Sequence, residues 1–164
     1  MGKPAARVTD SVSHPLPPVL SPGPGSLNVL IGGLPAWRGV NPIVAKALQS
    51  AKKTADATIK AATAATNAAP DPASKAVAKT AEEATKATVA ATMGTMISTS
   101  AAGADIHSCM TLLPIPPHGP GVVINGSKSV LINNLPACFL GNTILEAVGP
   151  PNKITKGCPT VQIG

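Results

Sequence analysis

Aromatic residues are almost absent from this 164-residue sequence, which has one Trp, one Phe and no Tyr. A core built mainly from Ala, Val, Ile and Leu buries little area per residue, so small folds of this composition usually need a staple such as a metal ion, disulfides or a partner surface. The formal charge of +6 comes mostly from lysines, but no lysine cluster is interleaved with rings that could stack on bases. We therefore predict no nucleic-acid partner, and we interpret the lysines as solvated helix faces.

Cysteines and acidic residues are also few, at three and seven. The number of cysteines is odd, and the N-terminus has no apolar region typical of a secretory signal. Both observations argue against a disulfide framework and favour reduced thiols or metal ligands. The acidic residues outside the lysine-rich segment, Asp10, Asp105 and Glu146, occur singly rather than as paired carboxylates, and no GxSxG, P-loop or HExxH pattern is present. The sequence therefore predicts a protein that is not an enzyme and is cytoplasmic when synthesised.

One motif recurs along the chain. Residues 25–39 (GSLNVLIGGLPAWRG) and 126–141 (GSKSVLINNLPACFLG) share Gly-Ser, Val-Leu-Ile, a two-residue turn and Leu-Pro-Ala. Residues 4–7 (PAAR), near the N-terminus, match the second half of this unit alone. Residues 157–164 (GCPTVQIG), at the C-terminus, match its first half alone. Three copies of one β-rich unit are indicated, and such periodicity sets the fold.

A segment of different composition interrupts the repeats. Asn41-Pro42 and Asp71-Pro72 each pair a good N-cap with proline at the first helical position, so two helices of about 25 residues should begin there and pair as an Ala-rich hairpin. We predict a mainly β fold of three repeat turns formed by residues 1–41 and 104–164. Residues 42–103 are then an inserted helical hairpin. Residues 85–104 are too polar for a continuous membrane span.

The sequence contains a candidate ligand set for a stabilising metal ion. Every histidine falls in the β part, at His14, His107 and His118, and Cys158 stands where the other two repeats have Ser26 and Ser127. Three imidazoles and one thiolate complete a tetrahedral site for structural zinc. Cys109 is a competing ligand, because residues two apart in an extended segment face the same side as each other. The alternative is that His14 and His118 are surface loop residues and that Cys158 is a small buried apolar group.

These motifs resemble the PAAR-repeat family, in its PAAR-like branch: residues 4–10 (PAARVTD), the repeated GSxxVLIxxxPA unit, His118-Gly119 and Gly157-Cys158. The resemblance implies a small cone-shaped β protein that caps the trimeric spike of a type VI secretion system or a related contractile injection machine. It also implies one zinc ion held by His14, His107, His118 and Cys158. The sequence departs from the family where Phe139 replaces the third motif arginine and where residues 42–103 are inserted.

The resemblance leads to a functional expectation. The chain would be a structural zinc protein that sharpens the spike and aids membrane puncture, assembled on the apparatus and delivered outside or into a target cell. Its expected partners are the trimeric spike at its base, the target membrane transiently, and an effector or chaperone on the hairpin. The alternative is an effector or effector carrier whose hairpin acts on membranes or docks cargo. A zinc hydrolase ranks last, because four protein ligands leave no open metal position.

Overall fold

The computed structural model describes residues 2–14, 19–112 and 117–164. In order along the chain, its elements are β1 (Lys3–Ala5), β2 (Leu30–Ile31), β3 (Leu34–Pro35), α1 (Pro42–Ala68), α2 (Pro72–Ser100), β4 (Ile106–Leu112), β5 (Pro117–Val123), β6 (Leu131–Ile132), β7 (Leu135–Pro136), β8 (Thr143–Glu146), β9 (Asn152–Lys153) and β10 (Cys158–Ile163). The strands are between two and seven residues long, whereas the helices have 27 and 29 residues.

The prediction of a mainly β cone is wrong, because the architecture is mixed α/β. The two helices contain more residues than the described strands together, and those strands form small antiparallel sheets. The helices also share a core with the strands. Frequent Gly and Pro shorten each strand, while the Ala-rich segment propagates helix without interruption.

The helix starts agree with the sequence prediction. Asn41 caps α1, accepting hydrogen bonds from the backbone N–H groups of Ile43 and Val44. Asp71 caps α2 by accepting from the backbone N–H of Ser74, and proline holds the first position of both helices. Within the described ranges, neither helix combines the length and apolar character that a membrane span requires.

The helical hairpin packs its base onto the β part. Leu48 of α1 and Met93 and Ile97 of α2 are fully buried against strand residues such as Val122 and Leu145. Further from the β part, the two helices contact each other through hydrogen bonds, such as the one from Thr63 to Glu82. The hairpin and the strands therefore share one hydrophobic core, and burial of its apolar surface stabilises both.

The large sheet has the strand order β4-β5-β8-β9, with each neighbouring pair antiparallel. The other strands form three small pairs, β2-β3, β6-β7 and β1-β10. In the two complete hairpins the turn residues adopt left-handed backbone angles: Gly32-Gly33 in one, and Asn133-Asn134 in the other. Such angles suit glycine and asparagine, and they match the twist of a two-residue hairpin.

The three repeat copies surround a closed ring of backbone hydrogen bonds. Ala6 N–H donates to the Cys138 carbonyl at 2.8 Å, Cys138 N–H to the Trp37 carbonyl at 3.0 Å, and Trp37 N–H to the Ala6 carbonyl at 3.0 Å. These residues hold equivalent positions in the three motifs. The backbone around these three buried residues therefore has approximate three-fold symmetry.

Candidate metal centre

The three histidines meet in the interior although they are far apart in sequence. The ring centroid of His14 lies 5.7 Å from that of His107 and 4.9 Å from that of His118. All three residues are buried. The structure thus brings together the three histidines that the sequence singled out.

The large sheet positions one side of this group. His107 and Cys109 lie two residues apart on β4 and therefore face the same side of the sheet. His107 pairs with Gly121 of β5, which in turn pairs with Glu146 of β8. Directly paired residues present their side chains on the same face of a sheet. Because Gly121 has no side chain, His107 and Glu146 approach each other across it; a Cβ at Gly121 would lie 2.8 Å from Glu146 Cγ.

A separate segment brings in His14. Val12 forms a bridge with Ile154, and Ser13 N–H donates to the Lys153 carbonyl at 2.9 Å. These contacts tie the chain before His14 to strand β9, at the edge of the same sheet. His118 reaches the group from β5.

Cys109 and Glu146 complete the cluster. Cys109 Sγ lies 3.5 Å from His14 Nδ1, and one possible ligand atom from each of His14, His107, Cys109 and Glu146 lies within 4.8 Å of the others. The two carboxylate oxygens of Glu146 contact His14 Nε2 at 2.6 Å and His118 Nδ1 at 2.7 Å. Imidazole, thiolate and carboxylate are all metal ligands, and this buried cluster can hold a metal ion.

Burial sets the protonation of these groups. It lowers the pKa of His14, and it lowers the pKa of His107 to about 4, with a further contribution from the neighbouring His14. Burial also raises the pKa of Glu146 to about 7, against the opposing effect of His118. Histidines that are neutral at physiological pH present the lone pair that a metal needs.

One nitrogen of the histidines fits a ligand that the polypeptide does not supply. Among the described residues, His107 Nε2 and His118 Nε2 are buried and have no hydrogen-bond partner. Leaving buried polar atoms unsatisfied costs about 1–3 kcal/mol each, so such atoms call for an explanation. His107 Nδ1 accepts a hydrogen bond from the Ser21 N–H at 3.4 Å, so the proton of a neutral His107 ring lies on Nε2. A metal ion bonded to His118 Nε2 would remove the cost at that nitrogen.

Cys158 is not part of this cluster. It opens β10, which pairs with β1, and its Sγ lies 3.2 Å from Thr160 Oγ1. The corresponding Ser26 hydroxyl accepts a hydrogen bond from Val29 N–H within the same kind of turn. Cys158 therefore sits in the structural position of the repeat serine, where hydrogen bonds to Thr160 lower the pKa of its thiol. Its departure from the repeat pattern does not place it beside the histidines.

Sequence reasoning missed Glu146 as a member of the cluster. The sequence did contain a signal for its burial: Glu146 ends the strand Thr143–Glu146, with Ile and Leu before it and Ala and Val after it. A lone acid within an apolar strand is expected to be buried, and a buried carboxylate requires donors or a cation nearby. The structure supplies two histidines as those donors.

No family model, no curated protein and no solved structure matches the chain. The resemblance to PAAR-repeat proteins therefore rests on the sequence motifs. The structural finding about a cofactor is the buried histidine, cysteine and glutamate cluster that can hold a metal ion.

Proposed function

We propose that this protein is a structural zinc protein that caps the trimeric spike of a contractile injection machine, and that it has no catalytic role of its own. The observation that carries the zinc assignment is the buried group of His14, His107, Cys109 and Glu146, whose possible ligand atoms lie within 4.8 Å of one another. His118 Nε2, buried without a hydrogen-bond partner among the described residues, offers a further donor. Three imidazoles and one thiolate are a donor set that zinc favours in closed structural sites. In this proposal Cys109 supplies the thiolate ligand, the role that the family resemblance implied for Cys158.

The burial of the donors supports a structural role. His107 has 0% and Cys109 has 2% of its surface exposed. An ion held at this depth links β4, β5 and the His14 segment, and its binding free energy adds to the stability of an aromatic-poor core. A catalytic metal would instead need a position open to substrate.

The approximate three-fold ring supports docking on a trimeric partner. Leu30 and Leu131 hold equivalent positions in the two complete hairpins, and they are 62% and 58% exposed. The third copy has Gln162 at this position. Exposed side chains at equivalent repeat positions can make similar contacts with successive subunits of a trimer. The resemblance to PAAR-repeat proteins implies such a trimer, the spike of the injection apparatus.

Elemental analysis of the purified protein tests the zinc assignment. We expect about one zinc ion per chain, because four donors satisfy one tetrahedral ion. Cys109→Ser should lower the zinc content and the melting temperature, whereas Cys158→Ser, the matched control, should retain the zinc. A metal-free wild-type protein of unchanged stability would overturn the assignment.

Co-purification with a recombinant trimeric spike protein tests the second half of the proposal. The double variant Leu30→Asp/Leu131→Asp should lose spike binding and keep its zinc. Val77→Asp is the control, because Val77 is 73% exposed on α2 and is far along the chain from the β2-β3 and β6-β7 hairpins. Equal spike binding by all three proteins would contradict the docking surface.

A further inference from the structure

Glu146 is buried between two of the histidines. Its side chain has 0% of its surface exposed. One carboxylate oxygen lies 2.6 Å from His14 Nε2, and the other lies 2.7 Å from His118 Nδ1. A carboxylate in this environment is stabilised when each oxygen accepts a hydrogen bond from an imidazole N–H.

With Glu146 ionised and accepting from both rings, these contacts fix which nitrogen of each ring keeps a lone pair. A neutral imidazole that donates from one nitrogen has its lone pair on the other. His14 donating from Nε2 leaves Nδ1, which faces Cys109 Sγ at 3.5 Å. His118 donating from Nδ1 leaves Nε2, which is buried without a hydrogen-bond partner among the described residues. Both lone pairs are then directed away from Glu146.

We propose that Glu146 is a positioning residue: it holds His14 and His118 in opposite tautomers, so that the metal is bound through His14 Nδ1 and His118 Nε2. This inference rests on the proposed zinc site and adds to it. Carboxylates that accept the second N–H of a metal-binding histidine fix the ring and raise its basicity. Glu146 does so for two rings at once, one through each oxygen.

Gly121 is consistent with this arrangement. It has no side chain, so it leaves the space that the Glu146 side chain fills between β5 and β8.

Nitrogen-15 NMR of the zinc-loaded protein, labelled at histidine, tests the tautomers directly. Long-range proton–nitrogen correlations distinguish a protonated from a metal-bound ring nitrogen. We expect His14 to be metal-bound at Nδ1 and protonated at Nε2, and His118 to show the reverse. Zinc bound through His14 Nε2 or His118 Nδ1 would overturn the inference, as would direct coordination of zinc by Glu146.

The variant Glu146→Gln provides a second readout. Loss of such a carboxylate weakens metal affinity by about 10–100-fold. We expect that weakening in a zinc competition titration, together with mixed tautomers in the NMR spectrum. Glu82→Gln is the control, because Glu82 is an equally buried acid on α2 that contacts no histidine among the described residues. If Glu146→Gln binds zinc as tightly as the control, with the same tautomers, the inference fails.

The two proposals fail in different ways. Wild-type protein that holds no zinc would contradict the proposed function. Wild-type protein that holds zinc through other nitrogens would contradict this inference alone. Should Glu146→Gln not fold, the wild-type NMR measurement decides the assignment by itself.

Discussion

Arg38 and Asp105 form a buried ion pair between segments that are 67 residues apart in sequence. Asp105 accepts from the backbone N–H of Arg38 at 2.7 Å and from its guanidinium at 2.8 and 3.0 Å. The first repeat copy makes the same contact within one turn, between Arg7 and Asp10. The helical segment therefore separates two partners that are neighbours in the first copy.

The third repeat copy has a neutral version of this contact. Phe139 stands in place of the arginine, and its backbone N–H donates to Asn142 Oδ1 at 2.7 Å. An acceptor for the backbone N–H is thus common to all three copies, whereas the charge pair is present in two. This difference allows the energetic contribution of the charge to be measured.

Replacing Asp105 by alanine should be strongly destabilising. Its side chain is fully buried, so the change leaves the Arg38 guanidinium with an unpaired buried charge, at a cost of about 3–5 kcal/mol. Urea denaturation measures the loss in unfolding free energy. Asn142→Ala is the control, because it removes a neutral acceptor, together with the amide that donates to the Asn125 carbonyl, and each buried group left unpaired should cost about 1–3 kcal/mol. Equal losses in the two variants would show that the charge is not what matters.

The two helices are joined by polar contacts away from their shared core. Glu82 of α2 is 3% exposed and accepts from Thr63 of α1 at 2.9 Å and from Lys86. Thr66 of α1 donates to the Ala78 carbonyl of α2 at 3.2 Å. An Ala-rich seam buries little apolar area, so these hydrogen bonds help to set the helix register.

The hairpin should become less stable in acid because of Glu82. Its hydrogen bond with Lys86, followed by those with the threonines, lowers the pKa of Glu82 from 4.5 to about 2. The folded pKa is depressed, so the stabilisation is present above pH 4.5 and is lost as the pH falls towards about 2. Thermal unfolding followed by circular dichroism across this window should show a smaller pH dependence in Glu82→Gln than in the wild type.

Glu83 offers the matched control for that measurement. It neighbours Glu82, but its side chain is 44% exposed and 4.0 Å from Lys79. Exposed ion pairs contribute little to stability. Glu83→Gln should therefore keep the pH dependence of the wild type; a Glu83→Gln profile as flat as that of Glu82→Gln would rule out the buried network as its source.

At the scale of the whole molecule, the largest change from the predicted architecture is the shared core. Ala45, Leu48, Met93 and Ile97 of the helices pack with Val122 and other strand residues in one cluster. Separating the helices from the strands would expose this apolar surface to water, which is unfavourable. The two parts are thus coupled energetically, although the division of the chain into two domains stays a prediction.

The helical and β parts should unfold in one transition. Trp37 is the only tryptophan, is fully buried and lies in the β part, so its fluorescence reports on that part. Circular dichroism reports chiefly on the helices. Coincident midpoints in a denaturant titration are expected because the core is common to both. Loss of the helical signal before the fluorescence change would contradict this coupling.

The sequence by itself determined the features that depend on neighbouring residues. Asn41-Pro42 and Asp71-Pro72 specify helix starts, because a cap bonds to an amide within three residues of it. The turn chemistry of the repeats, Gly32-Gly33 and Asn133-Asn134, is equally local. The scarcity of aromatics and the placement of the histidines were sufficient to predict a metal staple.

The tertiary structure decided which side chains meet. Glu146 lies 132 residues from His14, and the register of β4, β5 and β8 places it beside His107 across Gly121. The same register brings Cys109 to the histidines, while the pairing of β10 with β1 holds Cys158 opposite Ala5 in a separate sheet. Strand register and core packing are collective properties of the whole chain, so residue type and spacing alone could not choose between the two cysteines.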